Sequence, residues 1–340
     1  MAVYERTPLP VPPRVLVTGA LGVNGVWTVR ALLDLGADVL ATGRTANFEL
    51  APELEGSVAF RALDVTSLED VHDVVAEYGP DVIAHLAALL PGPAQADPRR
   101  GFEVNLMGTA NVLAAAKQSG VGRVVYTSTK GVYGAVMGRH GHPAYEPMPE
   151  GGEVHPVLVY DWSKYAGEGL GENHALNGDF EFASLRFASI YAPGKVKRHG
   201  PLSLASRMIE DPAAGRPFRL EQGGDQLDDY IYVRDAGEAV AVVALHPEPL
   251  RHALYNVGRG RAVSLHELAD AVRHHVPGAD IEIGPGLDPL GLGIPYHVAL
   301  DGGRMADEFG WRPRYDFDTG VADYLDVLRR LDAPRDVAAR

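Results

Sequence analysis

Between Arg14 and Gly36 the chain runs from a short apolar segment, through three spaced glycines, into an amphipathic segment, and that order leaves few folds open. Arg14-Val15-Leu16-Val17-Thr18 reads as a buried strand. Gly19-Ala20-Leu21-Gly22-Val23-Asn24-Gly25 follows at once, and Val26 to Leu35 reads as a helix stopped by Gly36. The spacing is G-x-x-G-x-x-G, one residue wider at its start than G-x-G-x-x-G. Either spacing serves a tight turn, close approach of backbone to a pyrophosphate, and packing of helix on strand. The helix N-terminus adds N–H donors and partial positive charge for phosphate. A glycine turn without a ligand is the plainer alternative. The strand before it and the helix after it favour a dinucleotide cradle.

The next stretch repeats the alternation. Ala37 to Gly43 reads as a second strand, Val58 to Leu63 as a third, Asp81 to Ala88 as a fourth and Arg123 to Ser128 as a fifth. Thr66-Ser67-Leu68-Glu69 fits a capping box, and Asn105 to Gln118 has helical periodicity. Strands alternating with helices predict an α/β fold with a doubly wound parallel sheet. Ligands of such sheets lie at the carboxyl ends of the strands. The second strand ends at Gly43-Arg44, where a carboxylate would bond the 2′-hydroxyl of NAD. A guanidinium there can grip a 2′-phosphate, which predicts NADP over NAD. Asp64 follows the third strand, within reach of an adenine amino group or of a helix start. His85, inside an apolar run, reads as a hydrogen-bonded core residue.

Composition sets outer bounds. The 340 residues suit one large α/β domain with a smaller appendage. A net charge of −14 with no basic tract argues against nucleic acid or an anionic membrane as partner. The chain has no cysteine, which excludes thiolate metal sites and a cysteine nucleophile and fits a cytoplasmic location. No run reaches ~18 apolar residues, the length a spanning helix needs. Residues 1–13 read as an irregular lead-in and 333–340 as a tail.

Tyr160-Asp161-Trp162-Ser163-Lys164 carries the chemistry. Four residues apart on a helix, a phenol and an ammonium share one face. A free tyrosine, with a pKa near ~10, is a poor acid or base at neutral pH. A nearby positive charge favours the phenolate and lowers that value. Such a pair can move a proton on or off a carbinol oxygen. Alone, the pattern equally describes a solvated tyrosine above a surface lysine; a dinucleotide cradle on the same sheet edge gives it a task.

In combination and in order, the motifs resemble the extended branch of the short-chain dehydrogenase/reductase family, also called the NAD-dependent epimerase/dehydratase family. The matching residues are Thr18-Gly19-x-x-Gly22-x-x-Gly25, Asp64-Val65, His85-Leu86-Ala87-Ala88, Asn105 with Gly108-Thr109, and Thr127-Ser128-Thr129. They continue with Val132-Tyr133-Gly134, Tyr160-x-x-Ser163-Lys164, Leu185-Arg186-Phe187 and Tyr191-Ala192-Pro193-Gly194, so the resemblance covers about Arg14 to Arg329. It implies a Rossmann-type domain, here 14–185, carrying a smaller C-terminal α/β substrate domain, mostly 186–332. It implies a homodimer through a four-helix bundle of Asn105–Gln118 and Trp162–Leu176. It makes Tyr160 the acid/base, Lys164 the holder of the nicotinamide ribose, and Thr129 the hydroxyl that bonds the substrate oxygen, with no metal. With the readings above, the dinucleotide contacts are Gly19, Gly22, Val23, Asn24, Gly25, Arg44, Asp64, Val65, Leu86, Ala87, Ala88, Asn105, Thr127, Tyr160, Lys164 and Phe187.

Departures from the family pattern narrow the substrate. Lys130-Gly131 stands where dehydratases resemble one another in having Asp-Glu, which argues against sugar dehydration. Asp228 replaces the arginine that would meet a nucleotide-sugar diphosphate, and Ser189 replaces an asparagine. A carboxylate facing a diphosphate is repulsive. Two loops, Gly138–Pro156 and Gly194–Gly200, are expected to build the pocket. Leu90, Thr129, Lys130, His142, Ser189, Lys197 and Arg198 are the expected substrate contacts, with Lys197 and Arg198 as a clamp for a carboxylate or phosphate. The leading expectation is an NAD(P)-dependent oxidoreductase acting on a secondary alcohol or ketone of a small hydroxy or sugar-like substrate. A sugar or nucleotide-sugar epimerase comes second, and a non-catalytic cofactor sensor third.

Overall fold

Side chains alternate between two apolar layers along the first strand, so the sheet must be covered on both faces. In the computed structural model, which describes residues 11–200 and 203–332, Val15 and Val17 enter one core and Leu16 the other. Val82 and Ala84 oppose Ile83 in the same way, and Val125 opposes Val124 and Tyr126.

The first half supplies β1 (Arg14–Thr18), β2 (Asp38–Gly43), β3 (Ala59–Ala62), β4 (Val82–His85), β5 (Arg123–Thr129) and β6 (Glu181–Phe187). The later chain adds β7 (Ser189–Tyr191), β8 (Phe218–Leu220), β9 (Leu227–Asp228), β10 (Tyr230–Tyr232), β11 (Leu254–Val257), β12 (Val263–Ser264) and β13 (Ile281–Ile283). Seven strands form one parallel sheet in the order β11-β6-β5-β4-β1-β2-β3. The order reverses at β1, which lies between β4 and β2, the place where a doubly wound sheet opens a crevice. The register aligns Thr18 with Thr42 and His85, and Thr129 with Phe187, so these strand ends share one edge. The remaining strands pair as β7–β10, β8–β13 and β9–β12 and build the smaller C-terminal α/β part beside that edge.

Several elements differ from the expected ones. The fourth strand stops at His85, because the Thr18 hydroxyl accepts the N–H groups of Leu86 and Ala87 and turns the chain out of the sheet. The helix expected from Asn105 is preceded by a π-helical turn, Glu103–Met107, and becomes α-helical only at Gly108–Gln118. The segment Gly223–Val233 holds two short strands interrupted at Asp229, with a helix starting at Val233. Within the expected loop 194–200, Lys195–His199 closes one short helix. Among the described residues no helix is long and apolar enough to cross a membrane.

Candidate active site

The sheet edge opens into a cleft of about 900 Å³, lined on one side by the glycine turn and on the other by the Tyr160 helix. The turn works by close approach. Gly19 has φ +66, and a Cβ there would stand 2.9 Å from the Ala87 nitrogen. A Cβ on Gly25 would overlap the carbonyl oxygens of Gly19 and Ala20. The helix Val23–Asp34 begins at Gly22 with no side-chain cap, so its first N–H groups are left for a ligand. Beside them, the buried Asn24 Oδ1 has no hydrogen-bond partner. A cradle closed to side chains, with uncapped donors, fits a dinucleotide pyrophosphate.

The opposite wall is the helix Val159–Leu176. Gly171 lets it settle on the sheet, since a Cβ there would overlap the Phe182 ring. That approach carries Lys164 over the end of β5, where its ammonium donates to the Thr127 carbonyl at 2.7 Å. Tyr160 lies one turn earlier, with the Lys164 Nζ 5.8 Å from its ring centroid. Lys164 is closer to the Tyr126 ring, at 4.6 Å. The expectation that Lys164 lowers the phenol pKa does not hold in this structure. Burial pushes the Tyr160 phenol well above its usual range, and the Asp161 carboxylate adds to the rise. Burial also lowers the Lys164 ammonium, to about 7, against the opposing pull of Glu168. The phenol is therefore held protonated. Thr129 lines the same wall, and its hydroxyl accepts from the Gly131 N–H at 3.0 Å, which leaves its proton free to donate.

Most of the residues expected from sequence face this cleft: Gly19, Gly22, Val23, Asn24, Gly25, Arg44, Asp64, Val65, Leu86, Ala87, Ala88, Thr127 and Phe187, then Leu90, Thr129, Lys130, Ser189 and Arg198. Three do not. Asn105 is buried behind the wall, where its amide brackets Leu89 by accepting from the N–H at 2.6 Å and donating to the carbonyl at 2.9 Å. It also donates to the Ser163 hydroxyl, tying the Tyr160 helix to the π-turn. His142 is exposed, with its ring against Tyr145, away from the cleft. Lys197 points outward to Glu49 at 2.6 Å, so it is no part of a clamp; the neighbouring Arg198 instead donates to the Leu21 carbonyl of the glycine turn.

Behind the cleft floor, His85 links the two halves. Thr18 Oγ1 already accepts two N–H groups, so it donates to His85 Nδ1 at 2.7 Å. His85 Nε2 then donates to Thr109, whose hydroxyl donates to the Asn105 carbonyl. Burial, and the charge of Lys164, hold His85 neutral, down to about 3.

The substrate end of the cleft contains groups that local reading did not assemble. Lys130 and Asp228 form a buried ion pair. Asp228 also accepts from the Ser189 hydroxyl at 2.8 Å and from the Val298 N–H at 3.3 Å. Burial raises its pKa, but the positive charge of Lys130, with His297 adding to it, outweighs that and holds it below the usual carboxylate range. A Gly/Pro-rich segment of the later chain closes over this end through Pro289, Leu290, Leu292, Tyr296 and His297. Tyr296 donates to Asp161 at 2.6 Å. No periodicity marks that segment; the Tyr296-His297 pair at its close was its one visible signal.

The sequence profile described as the NAD dependent epimerase/dehydratase family matches residues 15–258. A UDP-glucose 4-epimerase from Mycolicibacterium smegmatis is 32% identical over 93% of this chain and 98% of its own length. The structure of the Thermus thermophilus UDP-glucose 4-epimerase in complex with NAD is 30% identical, with a TM-score of 0.78 over 93% of this chain and 99% of that one. An L-threonine dehydrogenase from Clostridium difficile shares the fold, with a TM-score of 0.78 over 94% of this chain and 99% of that one, at 23% identity. With its parallel sheet, glycine turn and Tyr160/Lys164 wall, this chain belongs to the NAD dependent epimerase/dehydratase family and is an enzyme of the extended short-chain dehydrogenase/reductase type.

Proposed function

We propose that the enzyme transfers hydride between a nicotinamide dinucleotide and the secondary alcohol or ketone carbon of a small hydroxy substrate that has no nucleotide handle. One observation carries the reading: Tyr160, Lys164 and Thr129 line the same cleft as the glycine turn. The dinucleotide, when bound, supplies or accepts the hydride. The glycine turn and the uncapped helix would hold its pyrophosphate, and Lys164 and Thr127, on the opposite wall, would hold its nicotinamide half. Tyr160, protonated by its burial, gives its proton to the carbonyl oxygen in reduction and recovers it in oxidation. Thr129 donates to the same oxygen and orients it.

The absence of a nucleotide handle rests on Asp228. It takes the sequence position of the arginine that would meet a diphosphate and engages Lys130, so neither residue offers a free cation to one. Likeness to UDP-glucose 4-epimerases supports a second reading, in which one carbon is oxidised and re-reduced on a retained dinucleotide. Absorbance of the reduced nicotinamide separates the two: net hydride transfer changes it with turnover, and epimerisation leaves it flat.

NADP is the preferred dinucleotide in this reading. Gly43 ends β2 without a carboxylate, and Arg44 beside it is exposed on the cleft wall. Arg44→Ala is expected to weaken NADPH binding about ten- to hundredfold, the worth of one charge-assisted hydrogen bond, and to leave NADH unchanged. Fluorescence titration checks this; equal affinity of the unmodified enzyme for both dinucleotides ends the preference.

A homodimer through the helices Gly108–Gln118 and Val159–Leu176 belongs to the same proposal. Trp162, Tyr165 and Leu176 stand exposed along the second helix, which single solvated helices rarely show. Trp162→Glu should convert a dimer to a monomer in sedimentation velocity; a monomeric parent enzyme would remove the idea.

A further inference from the structure

The run Lys195–His199 places four basic side chains on one short helix, and the structure gives them different tasks. Lys197 is exposed and paired with Glu49. Arg198 is tied to Leu21 at the dinucleotide half. Lys195 lines the cleft, and its ammonium donates to the Ile190 carbonyl of β7, the strand that pairs with β10 and begins at Ser189, the donor to Asp228. Among the described residues no carboxylate lies within ion-pair distance of Lys195. A half-buried ammonium with one N–H satisfied has two left to donate.

His297 faces the same space. Its side chain is 7% exposed, and neither ring nitrogen has a hydrogen-bond partner. Nδ1 stands 3.5 Å from an Asp228 oxygen, too long for a good hydrogen bond. Asp228 is held chiefly by Lys130, Ser189 and Val298, and His297 adds only a weaker pull across that longer contact. A buried imidazole without a good hydrogen bond is costly, and such a group in a binding cleft points to a ligand. The other polar groups nearby are engaged: Tyr296 by Asp161, and the Ser189 proton by Asp228. Burial and the neighbouring charge of Lys130 lower the Lys195 ammonium to about 8, an environment that gains from an incoming anion.

Resting on the hydride-transfer reading above, we propose that Lys195 and His297 seat a carboxylate carried by the substrate, so that the substrate class is small hydroxy acids and their keto forms. One ammonium and one imidazole N–H match a carboxylate monoanion. A phosphate dianion would ask for more donors than this wall offers.

Calorimetry on the enzyme saturated with NADPH or NADH tests the seat. The probes are glycerate, threonate and 3-hydroxybutyrate, each beside its primary amide, with glycerol 3-phosphate as the phosphate arm. At least one acid should bind tenfold or more tightly than its amide. Lys195→Gln, which can still donate to Ile190, should erase that preference with dinucleotide affinity and Tm retained. His297→Phe should reduce it, and Lys197→Gln should leave it intact. Equal binding of all three acids and amides, or a preference that survives Lys195→Gln, overturns the seat. Tight glycerol 3-phosphate with weak acids overturns its assignment to carboxylate. Failure to bind either dinucleotide is a separate result, which sinks the hydride-transfer reading itself.

Discussion

Tyr160→Phe should lower kcat by about 10²–10⁴-fold, the usual worth of a positioned acid/base, with dinucleotide affinity and Tm close to the parent enzyme. The stability should survive because the Tyr160 hydroxyl makes no hydrogen bond to a described residue, so its loss leaves no buried partner stranded. The activity should not, because Thr129 can orient an oxygen but cannot take up a proton at neutral pH. The raised phenol also sets a direction for the pH profile. Reduction needs the protonated phenol and should hold level through neutral pH. Oxidation needs a base and should climb with pH. Stopped-flow rates in both directions check this; full activity in the Phe variant would remove Tyr160 from the chemistry.

Asp228→Leu should destabilise the fold by about 3–5 kcal/mol, the cost of leaving one member of a buried ion pair without its partner. Lys130 is 7% exposed at its side chain and would be left with an uncompensated charge. The corresponding fall in Tm is about 5–10 °C for a chain of this size. Lys130→Met combined with Asp228→Leu should recover most of the loss, since an apolar pair of similar volume replaces both charges. Urea denaturation of the two single variants and the double variant closes the cycle. Additive losses would mean that the pair does not act as one unit. The same cycle bears on specificity, since the proposed lack of a nucleotide handle rests on Asp228 and the Lys130 it engages.

Much of the site was legible before folding. The glycine turn, the strand ends at Gly43 and Thr129, and the Tyr160/Lys164 spacing are local features, each encoded within a few residues. Three readings failed for reasons of direction and distance. Lys197 and Lys195 lie two residues apart on a helix, so they point to different sides, and composition cannot say which side faces ligand. His142 sits in a loop whose path no periodicity sets. Asn105 has the residue type of a ligand contact but serves as a bracket, because the π-turn rotates its amide toward Leu89 and Ser163.

Alternation of apolar side chains and the placement of glycine were enough to write down a doubly wound sheet and the edge where a dinucleotide lies, because both depend on neighbours along the chain. Folding alone joined Lys130 to Asp228, 98 residues away, brought His297 over the cleft, and left Lys195 without a carboxylate partner among the described residues. Those outcomes depend on which strand ends meet and how closely they pack. They shape the end of the cleft where the substrate is proposed to lie, while local order along the chain shapes the glycine turn and the Tyr160/Lys164 wall.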